Sequence, residues 1–191
     1  MRQYWLIGVL AVLAAFSTAG AMITGATLST SGQNVQLVDP SGFNSDGDLV
    51  LTERVSGAGA RVDVTNIVTD VPGDPVLWML KSVENASTFD WTGYLVYIHA
   101  ELPFSVVAVE PMTNWTYSYD PVALGPDGYA TTVTFTANPG AQVAVGDWGD
   151  FNIRLQFPVP EEFWNVQTPL PEPATLVFLA IGGLFIRRAK R

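Results

Sequence analysis

Apolar and polar positions alternate with a period of two along much of residues 22–170, the pattern of strands with one face buried. In Arg61–Thr69, Val62, Val64 and Asn66 fall on one face, and Asp63, Thr65 and Ile67 on the other. Tyr129–Ala137 places Tyr129, Thr131, Val133 and Phe135 together, and Thr113–Tyr119 alternates as cleanly. Leu49–Val55, Phe104–Glu110 and Gly149–Phe157 also read as strands, as more weakly do Met22–Ser31 and Asn34–Val38. Val76–Val83 is nearly all apolar and predicts a strand buried on both faces. Gly93–Ala100 sets Tyr94, Val96 and Ile98 opposite Leu95, Tyr97 and His99. Turn residues punctuate these runs at Asp39-Pro40-Ser41-Gly42, Phe43–Asp48, Ser56–Ala60, Val71–Pro75 and Asn138-Pro139-Gly140, and Pro121–Gly128 reads as a loop.

About nine short strands at regular spacing, none joined by a long helical pattern, predict an all-β domain. The expectation is a single β-sandwich over 22–157, with residues 158–169 as a linker. Apolar stretches of a different kind lie at the two ends. Arg2, the run Leu6–Phe16 and the small-x-small triplet Ala19-Gly20-Ala21 make a signal peptide over 1–21, with the mature chain starting at Met22. At the other end Ala174–Ile186 is uninterruptedly apolar and is followed by Arg187-Arg188-Ala189-Lys190-Arg191. Thirteen helical residues span roughly 20 Å, short against a hydrocarbon core of about 30 Å. The arginines would snorkel and favour the cytoplasmic side. Both helices, signal and tail, are expected to flank the domain without belonging to its fold.

Pro171-Glu172-Pro173, the apolar run, and the pair Arg187-Arg188 at the chain terminus follow one another in fixed order over residues 170–191. This tail resembles the PEP-CTERM sorting signal of exported bacterial proteins. The resemblance implies recognition and processing by an exosortase, brief anchoring in the membrane through the tail helix, and an envelope or exopolysaccharide-associated destination. A second, shorter likeness to the same proteins lies in the segment 85–97, NASTFDWTGYLVY, through Asn85, Ser87, Thr88, Trp91 and Tyr94. It carries no chemistry; Trp91 and Tyr94 are expected to anchor the start of a central strand, burying their rings and keeping a polar tip for bonding.

Charge narrows the partners. From Met22 to Leu170 four basic residues stand against seventeen acidic ones, a balance of −13. Such a surface repels nucleic acid and anionic lipid. The chain has no cysteine, which removes disulfides, thiolate ligands and thiol catalysis. No cofactor is expected.

Candidate chemistry is sparse. Asn44, Asp46 and Asp48 alternate in a Gly-containing turn, a weak calcium pattern that lacks the spacing of an EF-hand; the same residues cap local backbone in ordinary turns. Trp115, Tyr117 and Tyr119 share one face of a strand about 6–7 Å apart. Exposed, the row would stack on sugars; buried, it is the core side of a strand. His99, the single histidine, cannot build a multi-histidine metal site, and no motif marks a nucleophile for a base made of His99 and Glu101. GxSxG, HExxH and glycine-rich phosphate loops are absent. Asn85-Ala86-Ser87 and Asn114-Trp115-Thr116 fit the glycosylation acceptor, to which a bacterial tail gives little weight. The reading that leads is a non-catalytic surface or matrix protein. A carbohydrate-binding module follows, and a carboxylate-dependent glycan hydrolase after it.

Overall fold

The computed structural model describes residues 21–71 and 73–172. The signal peptide expected at 1–21 and the tail helix expected at 174–186 therefore lie outside the described residues, apart from Ala21. The described chain is all-β, with twelve strands: β1 Ile23–Ser31, β2 Val35–Phe43, β3 Leu49–Val55, β4 Ala60–Thr69, β5 Val76–Asn85, β6 Trp91–Ala100, β7 Ser105–Pro111, β8 Trp115–Tyr119, β9 Ala123–Gly125, β10 Gly128–Ala137, β11 Trp148–Gln156 and β12 Phe163–Pro171. Among the described residues no helix is long and apolar enough to cross a membrane.

The strands form two sheets. The larger runs β1-β4-β12-β6-β10-β8, with β9 also on β10; the smaller runs β2-β3-β5-β11-β7. All pairs are antiparallel except β3 with β5. That parallel pair follows from topology. The chain leaves β3, crosses to the other sheet as β4, and returns as β5, because parallel neighbours need a crossover rather than a hairpin. Inward residues of both sheets join one core containing Leu51, Met79, Val83, Tyr94, Val96, Ile98, Phe135, Phe151 and Ile153. The phenol of Tyr94 in the large sheet stacks 4.3 Å from Phe151 in the small one. Period-two burial is strict in β3, β5 and β11.

Four sequence expectations change. Residues 158–169 are not a linker throughout: β12 lies between β4 and β6, and its inward Phe163, Asn165 and Gln167 are buried. The two-strand pairing of β12 extends the domain to Pro171, well past 157. Polar residues and two prolines at this strand hide it, because its inward row is polar where a core strand is usually apolar. Second, residues 39–42 do not turn the chain. They stay within β2, whose register shifts between Val38 and Gly42; β2 is an edge strand, where proline and a bulge are tolerated. Third, β5 is not buried on both faces: Leu77, Met79, Lys81, Val83 and Asn85 point inward, while Val76, Trp78 and Leu80 are only partly covered. The fourth change is the short β9, which lies in the expected loop 121–128.

Two glycines permit close approaches at strand ends. Gly47, at φ +79°, would place a Cβ 2.5 Å from the Met22 side chain, and Gly128, at φ +136°, 2.5 Å from the carbonyl of Ala100. The N-terminal strand begins where Ile23 pairs with Thr69. Pro171 ends beside Trp91, at the opposite end of the same sheet.

Candidate functional site

The aromatic row of β8 is divided by the edge of the fold. Trp115, Tyr117 and Tyr119 pair with Ala137, Phe135 and Val133 of β10, and so face the side on which Phe135 and Val133 are buried. Trp115 is covered at 5 % exposure, its Nε1–H donates to the Ala141 carbonyl at 2.6 Å, and its ring meets Phe151 edge-on at 5.3 Å. Tyr117 and Tyr119 are 46 % and 47 % exposed. β8 ends the larger sheet, while the facing sheet stops at β7. The two tyrosines overhang that edge, so the row is neither fully core nor a three-ring platform.

The turn of Asn44, Asp46 and Asp48 caps backbone. Asn44 Oδ1 accepts the Asp46 and Asp48 amides at 3.0 and 2.9 Å, and Asp48 Oδ1 accepts the Trp78 amide at 3.3 Å. Among the described residues no group of three or more His, Cys, Asp or Glu is placed to hold a metal ion.

His99 lies in a cleft of about 400 Å³ at the end of the large sheet, lined by Arg61, Glu101, Asp127, Glu161 and Trp164 among others. Its ring stacks on Trp164 at 4.6 Å, the Arg61 guanidinium sits 4.3 Å from the same indole, and His99 Nε2 is buried without a partner. Sequence reasoning missed Trp164 because it lay in the supposed linker. The carboxylates here are largely engaged. Glu161 Oε1 accepts the amides of Glu101 and Leu102, both at 3.2 Å; Glu162 Oε1 accepts that of Asn66 at 3.0 Å; and Asp63 pairs with Arg61. Glu101 and Asp127 stay exposed.

The segment 85–94 stitches the sheets where β5 passes to β6. Asn85 Nδ2 donates to the carbonyls of Phe89 and Val143, both at 2.9 Å. Asn85 Oδ1 accepts the Ser87 amide at 3.0 Å and the Ser87 hydroxyl at 2.6 Å. The indole of Trp91 donates to Ser87 Oγ at 2.9 Å and stacks on Tyr94 at 5.4 Å. Trp91 and Tyr94 are fully buried with their polar tips bonded, as their positions at the head of a central strand predict.

A polar chain crosses the middle of the core, and no sequence pattern marks it. Lys81 Nζ of β5 donates to Glu53 Oε1 of β3 at 2.7 Å and to Asn165 Oδ1 of β12 at 3.2 Å. Gln167 Nε2 donates to the same Asn165 oxygen at 3.1 Å, and the Tyr94 hydroxyl donates to Gln167 Oε1. All five side chains are buried, and Glu53 Oε2 has no partner. Desolvation lowers the Lys81 pKa from the usual 10.5, against the opposing pull of Glu53. Desolvation also raises the Tyr94 pKa well above 10.0, with the negative charge of Glu53 adding to it.

The stretch Pro171-Glu172-Pro173, expected above to be a sorting motif, starts on the fold. Pro171 is the last residue of β12 and its carbonyl accepts the Thr92 hydroxyl at 3.2 Å; Glu172 lies half-buried in a cleft with Thr92, Thr136 and Asn138. Pro173, Arg187 and Arg188 lie outside the described residues. No protein-family model, curated protein or solved structure matches the chain.

Proposed function

We propose that this chain is an exported, non-catalytic cell-surface or matrix protein whose PEP-CTERM tail is processed by an exosortase, and that its two sheets are a β-sandwich module presented outside the membrane. The observation that carries the reading is the abrupt succession of fold and tail. The last strand ends on Pro171, the first residue of the Pro-Glu-Pro motif, with the apolar run and the arginines directly behind it. The start of the fold supports it too. The backbone nitrogen of Met22 lies 2.8 Å from Asp70 Oδ1, so signal cleavage before Met22 would place the new ammonium against a carboxylate. Exit of the two ends at opposite ends of one sheet suits a module held by its tail with its start directed outward. The carboxylates near His99 are mostly occupied by backbone and by Arg61, which supports a non-catalytic role.

Expression of the full chain in hosts with and without an exosortase tests this. The expected result is export in both, with loss of the tail only where the enzyme is present, and Glu172→Ala abolishing that loss while insertion survives. Equal tail cleavage in the two hosts, or retention of Met1 and Arg191 on a cytosolic protein, would refute it.

The half-exposed pair Tyr117 and Tyr119 supports a second reading, a module that holds exopolysaccharide by stacking. A stacking ring contributes on the order of 1 kcal/mol, so Tyr117→Ala or Tyr119→Ala is expected to weaken glycan binding about fivefold to tenfold. A glycan array on which the parent protein binds nothing removes that reading.

A further inference from the structure

The buried chain through Lys81 brings together an amine, a carboxamide and a carboxylate in a water-excluded core. Ion pairs so placed are costly, because two desolvated charges recover only part of their hydration. Here the arrangement is also incomplete, since one oxygen of Glu53 is buried without a partner. Each group nonetheless has the surroundings that amide formation requires. Lys81 Nζ stands 3.2 Å from Asn165 Oδ1, one bond from the carboxamide carbon. Gln167 Nε2–H points at that same oxygen, where negative charge develops on attack. Glu53 touches the amine at 2.7 Å and has a free oxygen to carry a proton.

We propose that Lys81 and Asn165 are a self-modification site at which the two side chains condense to an intramolecular isopeptide bond, with Glu53 as the proton carrier. The ammonium of Lys81 first passes a proton to the Glu53 carboxylate. The neutral amine then attacks Cγ of Asn165, forming the new C–N bond as the carbonyl pair moves onto Oδ1. The protonated Glu53 gives its proton to Nδ2 and takes one from Nζ. Collapse of the tetrahedral carbon breaks Cγ–Nδ2 and releases ammonia. The products are one secondary amide, one ammonia and Glu53 as the acid, with every proton accounted for and no other reactant. Burial favours the neutral amine as nucleophile, in the sense already seen for Lys81.

The bond would join β5 of one sheet to β12 of the other, across 84 residues of sequence, in a chain without cysteine. It would fasten the strand immediately before the tail to the body of the domain.

The test is mass spectrometry of the purified, folded full chain under denaturing conditions. The expected mass lies about 17 Da, one ammonia, below that of the sequence with its observed termini. Trypsin should leave Lys81–Ser82 uncut and give a single species joining residues 62–154 to the peptide that begins at Leu155. Glu53→Gln and Lys81→Met should restore the full mass. Asn165→Asp should still link, losing about 18 Da as water. An unmodified mass with Lys81–Ser82 cleaved overturns the proposal, and so does a loss of the same size confined to one peptide. The peptide map of the parent protein decides the matter even if a variant fails to fold.

Discussion

Replacing Asn85 with alanine tests whether the corner between β5 and β6 is held by its side-chain bonds or by aromatic packing alone. The substitution removes four hydrogen bonds: two donated to the Phe89 and Val143 carbonyls and two accepted from Ser87. At about 1 kcal/mol net for each bond, the starting figure is about 4 kcal/mol. Two of the stranded groups have a second partner. Val143 O also accepts the Trp91 amide at 2.9 Å, and Phe89 O accepts the Ser87 hydroxyl at 3.0 Å. The buried Ser87 amide has no such reserve. The expected loss is therefore about 3 kcal/mol, or roughly 6–12 °C in melting temperature for a domain of this size. Ser87→Ala strands the Trp91 indole and should cost about 2 kcal/mol. Because the two residues share bonds, the double variant should fall short of the sum of the single losses by about 1 kcal/mol. Urea unfolding followed by tryptophan fluorescence measures all three, with an unchanged denaturant slope as the condition for reading stability. A loss below 1 kcal/mol for Asn85→Ala, or strict additivity with Ser87→Ala, would show that the rings of Trp91 and Tyr94 hold the corner without these bonds.

Three other expectations follow from the same core. A chain ending at Pro158 lacks β12, which separates β4 from β6, and should show no cooperative unfolding, whereas one ending at Glu172 should melt as the full domain does; circular dichroism distinguishes them. Phe151→Ala removes the ring packed against Tyr94, Trp115 and Phe135 and should cost about 3–5 kcal/mol in a denaturant titration. Tyr94 keeps its proton in the fold above pH 10.0 while the unfolded chain releases it, so its contribution is full below pH 10.0 and declines as pH rises toward its raised native value. The slope is about 1.4 kcal/mol per pH unit. Any Lys81 amine still free acts in the opposite sense up to 10.5 and is common to both proteins. The stability difference between parent and Tyr94→Phe should thus shrink with alkaline pH, and a difference that stays constant above pH 10 would contradict the assignment.

The alternation of Val62 and Val64, of Thr131, Val133 and Phe135, and of Tyr94, Val96 and Ile98 was enough to place the strands and their inward faces. That legibility has a local cause: side chains on a strand alternate between faces, so burial of one face writes itself into neighbouring residues. The roles of Trp91 and Tyr94 were legible on the same ground. β12 was not. Its inward Asn165 and Gln167 are polar because they meet Lys81 and Tyr94, residues of other strands that only the folding of the two sheets brings near. The same holds for the half-exposed tyrosines of β8, whose spacing fixes a shared face but whose exposure depends on how far the opposite sheet extends. Likewise Glu53 and Lys81 are, in sequence, an acid and a base on two separate predicted strands, with nothing local to join them. Their burial against a carboxamide is a property of sheet pairing, since contacts between residues distant in the chain have no local pattern to announce them.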